Sequence, residues 1–211
     1  MIPSWNIRQK LTHPRRSPLE LSFIPIHPGD ILSYGGYHFE VKLLKGHTFG
    51  QCGLYEPEKK LMFVGDQLMT TIVPIVGTQE TDLGMLKCYL DSLGDLKHNY
   101  KDCYFLPCHY GEIRNVEKEV NRIILGYLEN CEIMKHVLEE AGTALTTRDI
   151  GVRTYGRSQG PPDYAHFASC TYIWAKTFSC MEYMMGEGFV ERSERVRHYL
   201  LESALHHLKY R

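Results

Sequence analysis

No run of the sequence approaches the roughly 20 consecutive apolar residues that a membrane-spanning helix needs, so no membrane is expected as a partner. The start, Met1-Ile2-Pro3-Ser4-Trp5-Asn6-Ile7-Arg8, lacks a basic stretch followed by an apolar one, and no export signal is read there. The seven cysteines include no Cys-x-x-Cys pair. An odd, scattered set without an export signal reads as reduced thiols in a cytoplasmic protein. Charge of one sign is missing too: Lys plus Arg is 24 and Asp plus Glu is 25. That balance excludes a globally basic nucleic-acid binder. There is no internal repeat and no low-complexity tract. With 43% hydrophobic and 23% charged residues, the composition excludes a disordered tail, a collagen-like chain and a coiled-coil rod.

What remains is a globular chain of 211 residues, enough for one good-sized domain or two small ones. Its character changes near residue 113, which divides it into 1–112 and 113–211. Before that point, short β-type runs alternate with Gly and Pro. Leu21 to Ile26 is a short apolar run, and Tyr34-Gly35-Gly36-Tyr37 reads as a hairpin turn before a strand at His38 to Leu44. Leu61-Met62-Phe63-Val64-Gly65 is a continuous apolar run of the kind a buried strand shows. Thr81 to Leu96 has leucines at helical spacing, with Asp82 and Gly94 suited to its two ends. Asp102 to Pro107 reads as a last short strand.

After residue 113, helical patterns dominate. Asn115 is placed to cap a helix over Val116 to Ala141, with Gly142 as its stop. Thr146 to Ile150 opens a short second helix, and Gln159 to Asp163 is a loop. Phe167 to Met185 has the period of a third helix. Phe189 to Arg192 and Val196 to Leu200 then read as a hairpin around Ser193-Glu194-Arg195. Three helices followed by a hairpin is the order of a winged-helix module.

Eleven histidines are more than a chain of this size usually carries, a weak pointer to metal chemistry. Three turns each place a potential ligand after a β-type run: Lys45-Gly46-His47, Gly65-Asp66-Gln67 and Pro107-Cys108-His109. Two imidazoles and one carboxylate suit zinc or a similar divalent ion. Each turn alone reads more simply as a hydrogen-bonded loop or a helix cap. Their order and common setting make the stronger case.

These turns carry a family resemblance. Gly46-His47-Thr48-Phe49-Gly50-Gln51 resembles the Gly-His-Thr-Pro-Gly-His motif of the metallo-β-lactamase-fold hydrolases, the superfamily that includes glyoxalase II. The likeness continues through Gly53-Leu54-Tyr55 and Leu61 to Asp66, and Pro107-Cys108-His109-Tyr110-Gly111 is similar to the family's Pro-Gly-His-Gly. Phe49 stands for a proline, Gln51 for a histidine and Cys108 for a glycine. Cys108 reads as a buried bystander thiol beside the site. The resemblance implies an α+β fold, the second half of an αββα sandwich with a mostly antiparallel sheet, followed by a small winged-helix-like tail. It implies His47 on a first metal, Asp66 as the catalytic carboxylate bridging both metals, and His109 on the second, with Zn2+ as the cofactor.

The family's His-x-His-x-Asp-His is not in this sequence, and adjacent His206 and His207 read as a solvated helix face. Each metal position then keeps two ligands from this chain, and metal binding by the chain alone is expected to be weak. The resemblance thus implies an N-terminally truncated product or a genuine half-protein. Such a half would expose an apolar sheet face for a second copy or a complementing N-terminal fragment. The function implied is metal-dependent hydrolysis of an ester, thioester or similar bond in a small-molecule substrate. The competing readings are a non-catalytic binding remnant and a nucleic-acid-processing member of the fold. For the tail, the basic residues Arg148, Arg153, Arg157, Lys176, Arg192, Arg195 and Arg197 are interleaved with Glu182, Glu187, Glu191 and Glu194. A packing or lid role is therefore expected in place of nucleic-acid readout.

Overall fold

A computed structural model describes residues 24–77, 84–155, 167–193 and 209–210. Strands β1 (Ile31–Tyr34), β2 (Tyr37–Leu43), β3 (Cys52–Glu56), β4 (Leu61–Gly65) and β5 (Tyr104–Pro107) form one five-stranded sheet in sequence order. The first four pair antiparallel, and β5 lies parallel to β4. A parallel pair needs a crossover, supplied here by helix α1 (Met85–Asn99). The result is a mixed, mostly antiparallel sheet with flanking helices, an α+β arrangement.

The strand directions set the site. Two antiparallel steps separate β2 from β4, so these two run the same way, and β5 joins them by its parallel pairing. The residues that follow β2, β4 and β5 therefore leave the same edge of the sheet. His47, Asp66 and His109 are those residues.

The sheet's two faces are unlike. Met62, Val64 and Phe105 have no exposure and join α1 residues Leu86, Tyr89, Leu93 and Leu96 in one hydrophobic core. Phe63, between Met62 and Val64, points the other way and is 40% exposed. The expectation of a buried strand over 61–65 is therefore refined: the strand alternates, and among the described residues helices cover one face of it. On the Phe63 side an aromatic row forms. Phe39 meets Phe63 edge-on with centroids 5.8 Å apart, and Tyr37 stacks on Phe39 at 5.8 Å.

Helix α1 also departs from expectation at its ends. It starts after Gly84, continues through Gly94 and stops at Tyr100. Glycine inside a helix costs about 1 kcal/mol relative to alanine. Burying Leu96 completely, two residues further on, offsets that cost. Asp82 lies outside the described residues. So do Leu21 to Phe23 of the first apolar run, and its described part, Ile24 to Ile26, is exposed and forms no strand.

Helix α2 (Val116–Ala141) has the expected bounds. The Asn115 side chain accepts from the Lys118 N–H at 3.0 Å, and Gly142 closes the other end with its N–H on Leu138 and Glu139 carbonyls. Strand β6 (Leu145–Thr146) leads into α3 (Thr147–Tyr155), where Thr146 and Asp149 exchange hydrogen bonds in a reciprocal cap. Helix α4 (Phe167–Gly186) follows, then β7 (Arg192–Ser193) and β8 (Lys209–Tyr210), in a small sheet ordered β6-β8-β7. Here the hairpin expectation changes. Phe189 and Val190 belong to the turn closing α4, and the described partner of β7 is 209–210. The 196–200 segment, the 159–163 loop, His206 and His207 lie outside the described residues.

One contiguous core spans both sides of residue 113. Tyr89 of α1 meets Tyr127 of α2 edge-on at 5.9 Å, and α4 adds Cys180, Met181 and Met184. Among the described residues, no helix is long and apolar enough to cross a membrane.

Candidate functional site

The loop after β2 presses against α1. Gly46 has φ +144, and a Cβ there would lie 2.7 Å from the Tyr89 Cα and 2.5 Å from its Cβ, so only glycine fits without moving the helix. Gly65, at φ +57, turns the chain sharply after β4, and a Cβ on it would collide with the Gln51 amide. These glycines bring the His47 and Asp66 loops together.

Gln67 joins them. Its side chain has no exposure. The amide nitrogen donates to the Lys45 carbonyl at 3.1 Å and to Ser92 Oγ of α1 at 3.0 Å, and the amide oxygen accepts from the His47 N–H at 3.4 Å. The sequence pattern does not single out Gln67. Its partners are 20 to 25 residues away, and no local motif reports them.

The structure brings His47, Asp66 and His109 together as two pairs that share the carboxylate. His47 Nε2 is 3.6 Å from Asp66 Oδ2, and His109 Nε2 is 3.5 Å from Asp66 Oδ1. Both separations exceed the usual 2.7–3.2 Å of an N–H···O hydrogen bond. Asp66 Oδ1 is buried and has no hydrogen-bond partner among the described residues. The opposite ring nitrogen, His47 Nδ1, lies 2.9 Å from the Ile75 carbonyl. A carbonyl only accepts, so Nδ1 carries a proton. In the neutral ring, Nε2 then turns a lone pair toward the carboxylate. Two acceptors facing each other 3.6 Å apart is an arrangement that a cation between them would satisfy. With ligand bonds of about 2.0–2.1 Å, two ligands of one tetrahedral ion sit about 3.4 Å apart. The residues present therefore fit a divalent ion. Among the described residues, no three His, Cys, Asp or Glu side chains close around a single point as a full cage.

His47 is the inner member, 20% exposed, and His109 the outer one, 60% exposed. Cys108 beside it is exposed, which corrects the expectation of a buried bystander: its N–H is tied to the Gly65 carbonyl at 3.2 Å while its side chain faces outward.

The same fold occurs in solved structures. A metallo-β-lactamase family protein from Thermus thermophilus superposes with a TM-score of 0.68 at 23% identity, over 86% of this chain and 54% of that one. A β-lactamase domain protein from Burkholderia ambifaria does so with a TM-score of 0.69 at 17% identity, over 90% of this chain and 52% of that one. This is the metallo-β-lactamase fold. The chain spans about half the length of these two metallo-β-lactamase-fold proteins. A match over 86% of its residues extends well past residue 113, so the shared fold includes tail helices as well as the sheet. In sequence, 40 residues are 50% identical to hydroxyacylglutathione hydrolase GloC of Haemophilus influenzae, covering 19% of each chain. No family model matches.

Proposed function

We propose that this chain supplies part of the metal centre of a metallo-β-lactamase-fold hydrolase. One observation carries the reading: a carboxylate flanked by two imidazole Nε2 atoms, with a buried oxygen that has no hydrogen-bond partner among the described residues. His47 and Asp66 would hold one divalent ion, taken to be zinc, and Asp66 and His109 a second. Such an ion supplies acidity to a water and polarises the oxygen of an ester, thioester or similar bond in a small-molecule substrate. His47 contributes a ring already turned by Ile75, Asp66 contributes one oxygen to each side, and His109 closes the outer edge. The short sequence match to a hydroxyacylglutathione hydrolase supports this substrate chemistry.

The chain offers two side chains per ion where catalytic zinc usually takes three protein ligands. That gap supports a second reading, a remnant that binds a metal or partner without turnover. We propose further that the face bearing Tyr37, Phe39 and Phe63 packs against a second copy or a complementing N-terminal fragment, in a cytoplasmic setting. For the tail we favour packing, winged-helix-like in its element order, over nucleic-acid readout. Lys176, one of its basic residues, holds its ammonium 5.4 Å from the centre of the Tyr127 ring, and burial pushes its pKa down.

The test is zinc titration of the purified chain followed calorimetrically, beside His47→Ala, Asp66→Ala and His109→Ala. Asp66→Ala is expected to abolish uptake and each histidine variant to weaken it at least about tenfold. Equal uptake by all four proteins would refute the assignment.

A further inference from the structure

We propose that Tyr127 and Tyr172, both from the helical tail, are positioning residues for the His47 imidazole, an inference that rests on the metal reading above. Residues 66–77 form neither helix nor strand, although Leu68, Met69, Pro74 and Val76 within them are buried. A buried coil has no ladder to satisfy its backbone and must find each partner separately. Here the partners come from the helices. Tyr89 of α1 donates to the Gln67 carbonyl at 2.8 Å. Arg122 of α2 donates through Nη2 to Met69 at 2.6 Å and Ile72 at 3.2 Å. Tyr172 of α4 donates to Val73 at 2.6 Å, and Tyr127 of α2 to Pro74 at 2.6 Å. The next carbonyl in line, Ile75, takes the His47 Nδ1 proton at 2.9 Å.

The order matters because peptide units are rigid planes. With the Val73 and Pro74 carbonyls held, two consecutive planes are fixed and the Ile75 Cα is placed. On the far side, the Gly77 N–H donates to the Gly46 carbonyl at 2.9 Å, next to His47 itself. The Ile75 carbonyl is thereby bracketed, and its direction decides which His47 nitrogen keeps the proton. Burial raises both phenol pKa values, so both hydroxyls remain donors at neutral pH. Tyr127 has no exposure, so its removal leaves the Pro74 carbonyl without a partner in the core. Tail residues whose hydroxyls bond to Val73 and Pro74 thus set the face that His47 presents to Asp66.

The test uses the full chain, with Tyr127→Phe, Tyr172→Phe and the double variant. Val137→Ala, on α2 ten residues beyond Tyr127, serves as a control that weakens the buried helix without removing a side-chain hydrogen bond to 66–77. The first readout is the long-range nitrogen spectrum of the His47 ring in the metal-free protein, which reports the tautomer. The second is the zinc dissociation constant. The double variant is expected to lose the single Nδ1-protonated signature and to bind zinc about tenfold more weakly, the low end for loss of an outer-shell partner. The single variants should show the same change at smaller amplitude, so misfolding of the double leaves the test standing. The control should match the wild type in both. An unchanged His47 spectrum in the tyrosine variants, or an equal change in Val137→Ala, overturns the inference. If the wild-type chain takes up no zinc, the metal reading fails, and the tautomer comparison alone decides this one.

Discussion

The loops carrying His47 and His109 leave the same edge of the same sheet, yet they are held in different ways. Around His47, the backbone N–H bonds to Gln67, the ring bonds to Ile75, and the preceding glycine lies flat against α1. Around His109, the backbone is tied through Cys108 to Gly65 and through the Tyr110 carbonyl to Thr70, and the ring meets Asp66 and the Tyr110 ring. One imidazole is set in direction by the core behind it. The other is set in position by its backbone and stays open to solvent. Under the proposed metal reading, an anchored inner imidazole facing an open outer one would combine preorganisation on one side with access on the other.

The largest effect expected from breaking this contrast is at Gly46. Gly46→Ala drives a Cβ into the Tyr89 backbone and needs a φ that alanine rarely adopts. It should cost about 3 kcal/mol or more, seen as a lowered urea midpoint. Next comes Gln67→Ala, which strips a fully buried amide from the Lys45 carbonyl, Ser92 and the His47 N–H. A loss of about 2–3 kcal/mol is expected, with fast amide exchange at His47 as a local signature. His47→Ala leaves the Ile75 carbonyl unsatisfied and should cost about 1–2 kcal/mol by the same denaturation measurement. His109→Ala, at an exposed ring, should change stability by less than about 0.5 kcal/mol. If His109→Ala destabilised the protein as much as His47→Ala, the two loops would not differ in the way described.

What local chemistry sets was readable in advance, and what distant residues set was not. Asn115 and Gly142 bound α2 because caps act within one turn of the helix. The three turns could be picked out because each pairs a ligand-type side chain with a nearby glycine. Gly94 misled for the same local reason: it resembles a helix stop, but Leu93 and Leu96 are fully buried on either side and carry the helix onward. Phe63 misled because five apolar residues in a row carry no mark of which sheet face a neighbouring layer covers. Gln67, Tyr127 and Tyr172 stood out in no pattern, since their bonds reach 20 to 99 residues along the chain.

From residue order alone came the types of side chain at positions 47, 66 and 109, the runs that end beside them, and the helix that lets β5 return parallel to β4. The folded chain added the rest: the shared edge, the carboxylate placed between two rings, and the direction of the His47 lone pair. Those depend on hydrogen bonds and close packing between elements far apart in the chain. Such contacts exist only once strands and helices have docked, so no window of neighbouring residues contains them.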